Sequence, residues 1–132
     1  MLNGIIPASW SGQLHAALRI MTGLLFLEHG TTKLFHFPLT DFFPVGQPLS
    51  TFMIFTGLLE LVGGILIIVW LFTRLTAFIL AGMMAVAYFM AHFPQSFFPV
   101  QNMGDAAVLF CFLFLYLAAA GAGPYSVNAN RN

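Results

Sequence analysis

The chain has 132 residues, of which 60% are hydrophobic and 6% are charged. An average soluble domain has roughly 25% charged residues, so the four basic and four acidic side chains of this sequence are too few to solvate a water-soluble fold. The formal net charge of zero also argues against nucleic-acid binding, since no net charge draws the chain to phosphates.

Hydrophobic segments predict four transmembrane helices. A bilayer core is about 30 Å thick and requires about 20 apolar residues of helix. Segments that satisfy this length, or nearly so, cover residues 13–33, 51–71, 73–93 and 105–120. The stretch 51–93 is about twice too long for one crossing at about 1.5 Å per residue, so it must turn back, and Arg74 marks the turn. The predicted fold is an all-α integral membrane four-helix bundle.

Basic residues predict how the spans are oriented, because Lys and Arg near span ends stay on the cytoplasmic side. Arg19, Arg74 and Arg131 fall on one side of the predicted spans, and Lys33 falls on the other. We therefore expect both termini to be cytoplasmic and the two long loops, rich in Phe and Pro, to be outside. The expected location is a bacterial or archaeal cytoplasmic membrane.

Two charges inside the spans, Arg19 and Glu60, are expected to be paired, because buried charges require partners. We predict a structural ion pair between them that joins the first two helices. The alternative makes Glu60 a proton carrier in a conduit for protons or a small solute. The glycines near the Glu60 face, Gly57 and Gly64, would let another helix approach closely and make self-association an expectation.

A second group of polar residues is predicted at a common depth near the outer face. Its members would bind a quinone headgroup: His29, Lys33, Tyr88, His92, Asp105 and Tyr116. His29 is the predicted proton carrier, because imidazole is the side chain that ordinarily gains and loses a proton near neutral pH. Lys33 would polarise a quinone oxygen. The alternative interpretation is a polar rim that meets headgroup water.

Other cofactors have weaker support in the sequence. His29 and His92 are the pair that would ligate a haem axially, but nothing else in the sequence favours haem. No dense ligand motif indicates a metal site. The single cysteine, Cys111, excludes an internal disulfide or a CxxC redox pair.

Several short elements resemble those of a known family. They are Arg19, Gly23, His29-Gly30 and Lys33-Leu34 in the first span, Glu60, Gly63 and Gly64 in the second, Thr73-Arg74 and Ala77 in the third, and Asn102, Gly104 and the tail 121–127. In this order they resemble the DoxX family of small four-helix membrane proteins, over about 14–128. The family commonly has Asp where this chain has Asn128.

The resemblance implies a four-helix bundle. Members named for thiosulfate:quinone oxidoreductase are membrane subunits that pass electrons to quinone, and others are associated with redox-stress complexes. The leading hypothesis is therefore a quinone-linked redox subunit that works with a soluble or membrane redox partner. The alternative, from a different class, is a non-catalytic membrane partner or assembly factor.

Overall fold

The computed structural model describes residues 4–121 and 123–127, and within them it contains helices and no strand. After a 3₁₀ turn at Ala8–Trp10, the helices are α1 (Ser11–Phe35), α2 (Thr51–Val69), α3 (Thr73–Ala87), α4 (Pro99–Asn102) and α5 (Asp105–Ala120). A π-helical turn at Tyr88–His92 continues α3. Asn128 and Arg131, which entered the expectations above, lie outside the described residues.

The turn between α2 and α3 takes only three residues. Trp70 and Phe72 both adopt the left-handed conformation, with φ of 60° and 51°, which is uncommon for bulky side chains. The Trp70 side chain is 2% exposed, so packing holds the chain in this conformation. A tight reversal is what allows two long apolar helices to follow each other directly.

Helices α1 and α2 pack backbone to backbone through four glycines spaced seven residues apart on each helix. A Cβ added to Gly30 would lie 2.7 Å from Leu61 N and 3.0 Å from Gly57 O. At the other end of the contact, a Cβ on Gly64 would lie 3.0 Å from Gly23 O. The close approach predicted for this face of α2 is therefore made by α1 of the same chain.

Helices α3 and α5 form the second closely packed pair. A buried apolar core joins it to the first pair, and its residues are Phe26, Ile67, Trp70, Ala77, Leu80, Ala81, Met84, Phe110, Phe114 and Leu117. Gly63 lets α2 and α3 approach closely within this core, since a Cβ there would lie 2.9 Å from the side chain of Leu80 on α3. The ring of Phe26 meets that of Phe114 edge-on, with 4.9 Å between centroids.

The alternating helices give the fold two ends. The loop end holds the connections 36–50 and 93–104, and the tail end holds the turn 70–72 and the segment 123–127. At the tail end Arg74 donates hydrogen bonds to the carbonyls of Ala118 and Ala119. A cation suits this position, because the last carbonyls of a helix lack intrahelical partners and carry partial negative charge.

Two helical segments are long and apolar enough to cross a membrane, Thr51–Val69 and Thr73–His92. Helix α5, Asp105–Ala120, is also apolar but shorter. Helix α1 has 25 residues and includes the predicted segment 13–33.

Candidate functional site

The charged centre at the loop end is a buried ion pair between α1 and α2. Lys33 Nζ lies 3.0 Å from each carboxylate oxygen of Glu60 and donates to Thr56 Oγ1 at 3.2 Å. The side chains of Lys33 and Glu60 are 11% and 8% exposed. Gly57 leaves room for the aliphatic part of Lys33, since a Cβ there would lie 3.2 Å from Lys33 Cδ.

The prediction that Arg19 pairs with Glu60 is wrong, because Lys33 occupies that place. Arg19 precedes Lys33 by 14 residues on α1, which is about 21 Å along a helix. The glycine contacts set the antiparallel register so that Gly30 lies beside Glu60, whereas Arg19 lies at the tail end. There its guanidinium is 5.0 Å from the Trp70 ring centroid and donates to the carbonyl of Tyr125 at 2.6 Å.

His29 lies on the side of the fold, next to the buried pair but outside it. Its side chain is exposed, and its ring stands perpendicular to that of Phe110 on α5, with 6.0 Å between centroids. The following residue, Gly30, is the point at which α1 approaches the Glu60 side chain. His29 is therefore an exposed imidazole that packs against the buried ring of Phe110 and lies next to the residue that contacts Glu60.

Tyr88 and His92 belong to a separate network that holds the second loop. His92 Nδ1 donates to the carbonyl of Asn102 at 2.9 Å, and the Tyr88 hydroxyl donates to the carbonyl of Phe97 at 3.3 Å. The amide of Asn102 donates to Tyr88 Oη at 3.2 Å and to Ser96 O at 2.8 Å. Asn102 is 1% exposed. Tyr88 and His92, both predicted to bind the ligand, thus form hydrogen bonds that hold the loop in place.

Removing one bond of this network gives a modest, measurable effect. Tyr88→Phe should lower the free energy of unfolding by about 1 kcal/mol, because the hydroxyl accepts from buried Asn102 and its loss leaves one amide hydrogen unpaired. Tyr116→Phe is the control, since the Tyr116 hydroxyl makes one solvent-exposed hydrogen bond, to His15 Nδ1, at the other end of the fold. Equal melting temperatures for the two variants in detergent would contradict the structural role of Tyr88.

The last two predicted site residues lie apart from the others. Asp105 is exposed in the first turn of α5, where its charge suits the positive end of the helix. Tyr116 lies 11 residues further along, about 16 Å away, and its hydroxyl is 3.3 Å from His15 Nδ1. Its prediction as part of the outer group is wrong, because residues on one helix face share a direction and not a depth.

Sequence reasoning missed two residues of the loop end and its environment. Thr56 precedes Glu60 by one helical turn, so the i, i+4 rule could have placed it beside the carboxylate. Phe43, from the first loop, lies with its ring centroid 5.5 Å from Lys33 Nζ, and no local pattern indicates that contact. Within residues 4–121 and 123–127, no three His, Cys, Asp or Glu side chains are grouped to hold a metal ion.

Comparison with known proteins agrees with the elements noted in the sequence. The family model described as DoxX matches residues 14–93. The chain is also 42% identical over 101 residues to a Haemophilus influenzae protein described as uncharacterized, an alignment that covers 74% of this chain and 75% of that protein. No solved structure matches the chain at a significant level. Because the family model covers more than half of the sequence, the chain belongs to the membrane-associated DoxX family.

Proposed function

We propose that the four long helices form a membrane-spanning bundle with both termini on the cytoplasmic side of a bacterial or archaeal membrane. Large apolar side chains point outward from every long helix, among them Met21, Phe55, Phe78 and Phe112, each more than half exposed. Water does not favour such a surface, whereas lipid does. Of the three charged residues of α1, Arg19 and Lys33 are buried inside the fold, and Glu28 is exposed in the half of the helix nearer the loop end.

Within that membrane we propose that the protein is a quinone-linked redox subunit, with the quinone headgroup held at His29. The observation that carries this proposal is the position of His29, exposed on the side of the fold against the ring of Phe110. A hydrophobic ligand that diffuses in the bilayer reaches such a position from the side. The edge contact with the buried Phe110 ring supports the exposed imidazole from inside the fold.

The residues present fit a quinone in part. The exposed imidazole of His29 has no hydrogen-bond partner among the described residues, so it would donate a hydrogen bond to a quinone oxygen. Lys33 is engaged with Glu60 and Thr56, so it acts as a buried positive charge and not as a direct ligand. When bound, a quinone would accept two electrons and two protons. The electrons would come from a redox partner protein.

His29→Ala should weaken quinone binding at least tenfold, which is about 1.4 kcal/mol, because it removes the donor and the proton carrier together. A short-chain quinone analogue titrated into the detergent-solubilised protein measures the affinity, and a melting curve checks that the variant is folded. Glu28→Gln is the matched control, since Glu28 is the exposed neighbour on another face of α1. An equal affinity in wild type and His29→Ala would contradict the proposal.

A second candidate function, a non-catalytic membrane partner or assembly factor, is favoured by the internal bonding of the polar residues. Lys33, Glu60, Tyr88 and His92 all have partners within the fold, as groups that only hold a structure together would. The same quinone titration separates the two functions, because this candidate requires no binding by wild type.

The pairing of Glu60 with Lys33 also gives a proton conduit through Glu60 little support.

Self-association loses its sequence argument, because α1 of the same chain covers the glycines of α2. A homo-oligomer would therefore have to use another face. The proposed redox partner would likewise bind a surface other than the glycine face of α2.

A further inference from the structure

Arg19, at the tail end, is a buried cation whose bonding capacity is mostly unused. The residue is 3% exposed, and Nη2 donates to the carbonyl of Tyr125. Nε and Nη1 are buried and have no hydrogen-bond partner among the described residues. A guanidinium has five N–H donors, and three of them are on these two nitrogens. A charged group in this state is expected to bind an acceptor.

None of the acidic side chains of the chain supplies that acceptor. The sequence has four acidic residues: Glu28, Asp41, Glu60 and Asp105. Glu60 is paired with Lys33, and the other three are exposed in the half of the fold nearer the loop end. The Trp70 ring beneath the guanidinium compensates only part of the desolvation that burial imposes on a charge.

A second unused donor lies one helical turn before Arg19 on the same face of α1. The ring of His15 meets the same Trp70 ring edge-on, with 5.8 Å between centroids. Its Nδ1 faces the Tyr116 hydroxyl at 3.3 Å, and if that hydroxyl donates, Nε2 carries the hydrogen. Nε2 is buried and has no partner within the described part of the chain.

The segment 123–127 packs against the same end of α1. Gly123 lies against His15, since a Cβ there would be 2.6 Å from His15 Cδ2, and Val127 N donates to Val69 O at 3.3 Å. Between them Ser126 has a buried hydroxyl without a partner in the described range. Unpaired donors from α1 and from this segment therefore lie at the tail end with the Arg19 guanidinium, which has no acidic partner among the described residues.

We propose that Arg19, with His15 and Ser126, binds one phosphate-type oxyanion beneath the segment 123–127. An oxyanion offers only acceptors, which matches a set of unused donors, and it neutralises the guanidinium, which a neutral ligand does not. The phosphate group has two sources, inorganic phosphate or the headgroup of an anionic lipid. This site is independent of His29, which lies in the other half of the fold.

The test measures the melting temperature of the full chain in micelles of neutral detergent. One arm adds inorganic phosphate against chloride at matched ionic strength, and the other adds phosphatidylglycerol against phosphatidylcholine. We expect a rise of about 5 °C at saturation in at least one arm. A rise with phosphate identifies the free ion as a source, and a rise with phosphatidylglycerol alone identifies the lipid. No rise in either arm would overturn the proposal.

Variants assign the effect to this site. Arg19→Met should abolish the rise. Arg74→Met should keep it: this substitution removes an equal charge at the same end of the fold, but the Arg74 guanidinium is bonded to helix carbonyls and is not part of the proposed site. An equal rise in Arg19→Met and wild type would overturn the assignment. His15→Leu leaves Arg19 in place and should raise the concentration of the effective probe at half-maximal rise about tenfold. If Arg19→Met does not fold, an unchanged midpoint in His15→Leu rejects the site.

Discussion

Glu60→Ala is expected to lower the free energy of unfolding by about 3–5 kcal/mol, because it leaves Lys33 charged, buried and without its anion. Lys33 is 9% exposed, and the Thr56 hydroxyl is the other hydrogen-bond acceptor at its Nζ. Unfolding of the detergent-solubilised protein by added SDS, followed by tryptophan fluorescence, measures the loss. Glu28→Ala is the matched control, since this exposed carboxylate should change stability by no more than about 0.5 kcal/mol.

A double-mutant cycle identifies the partner. Lys33→Met combined with Glu60→Leu should recover much of the loss, because apolar side chains of similar size often replace a buried pair without penalty. Arg19→Met combined with Glu60→Ala should give additive effects, since residues so far apart do not couple. Coupling of Glu60 to Arg19 and not to Lys33 would mean that α1 and α2 pack in a different register.

Gly30→Ala is expected to lower the free energy of unfolding by about 1–3 kcal/mol, because the added methyl group overpacks the contact between α1 and α2. It would lie 2.7 Å from Leu61 N and 3.0 Å from Gly57 O, and backbone atoms of a packed helix cannot move aside as a flexible side chain does. The same SDS titration measures the change.

Gly82→Ala is the control for this glycine. A Cβ there meets nothing within 4 Å, so the substitution should be neutral or stabilise α3 by up to about 1 kcal/mol through helix propensity. If both alanine variants changed stability equally, close backbone contact would not be what holds α1 against α2.

The positions of the helices followed from local features of the sequence. Polar and proline-rich segments interrupt the apolar stretches, and the length of each stretch limits where a helix ends. The observed helices begin and end within two residues of the predicted segments, as the third does when the π-helical turn to His92 is included. The turn beside Arg74 was predicted because one helix over 51–93 would be too long for the thickness of a bilayer.

The membership of the candidate site depended on two quantities that a single helix pattern does not contain. One is depth along each helix, which separates Tyr116 from Asp105 although both share a stripe on α5. The other is the register of α1 against α2, which the four facing glycines determine by close backbone contact. That register places Glu60 in an ion pair with Lys33, and it places Arg19 over the Trp70 ring. Sequence alone therefore determined which segments are helical and which residues carry charge inside them, whereas only the tertiary packing decided which of those charges meet.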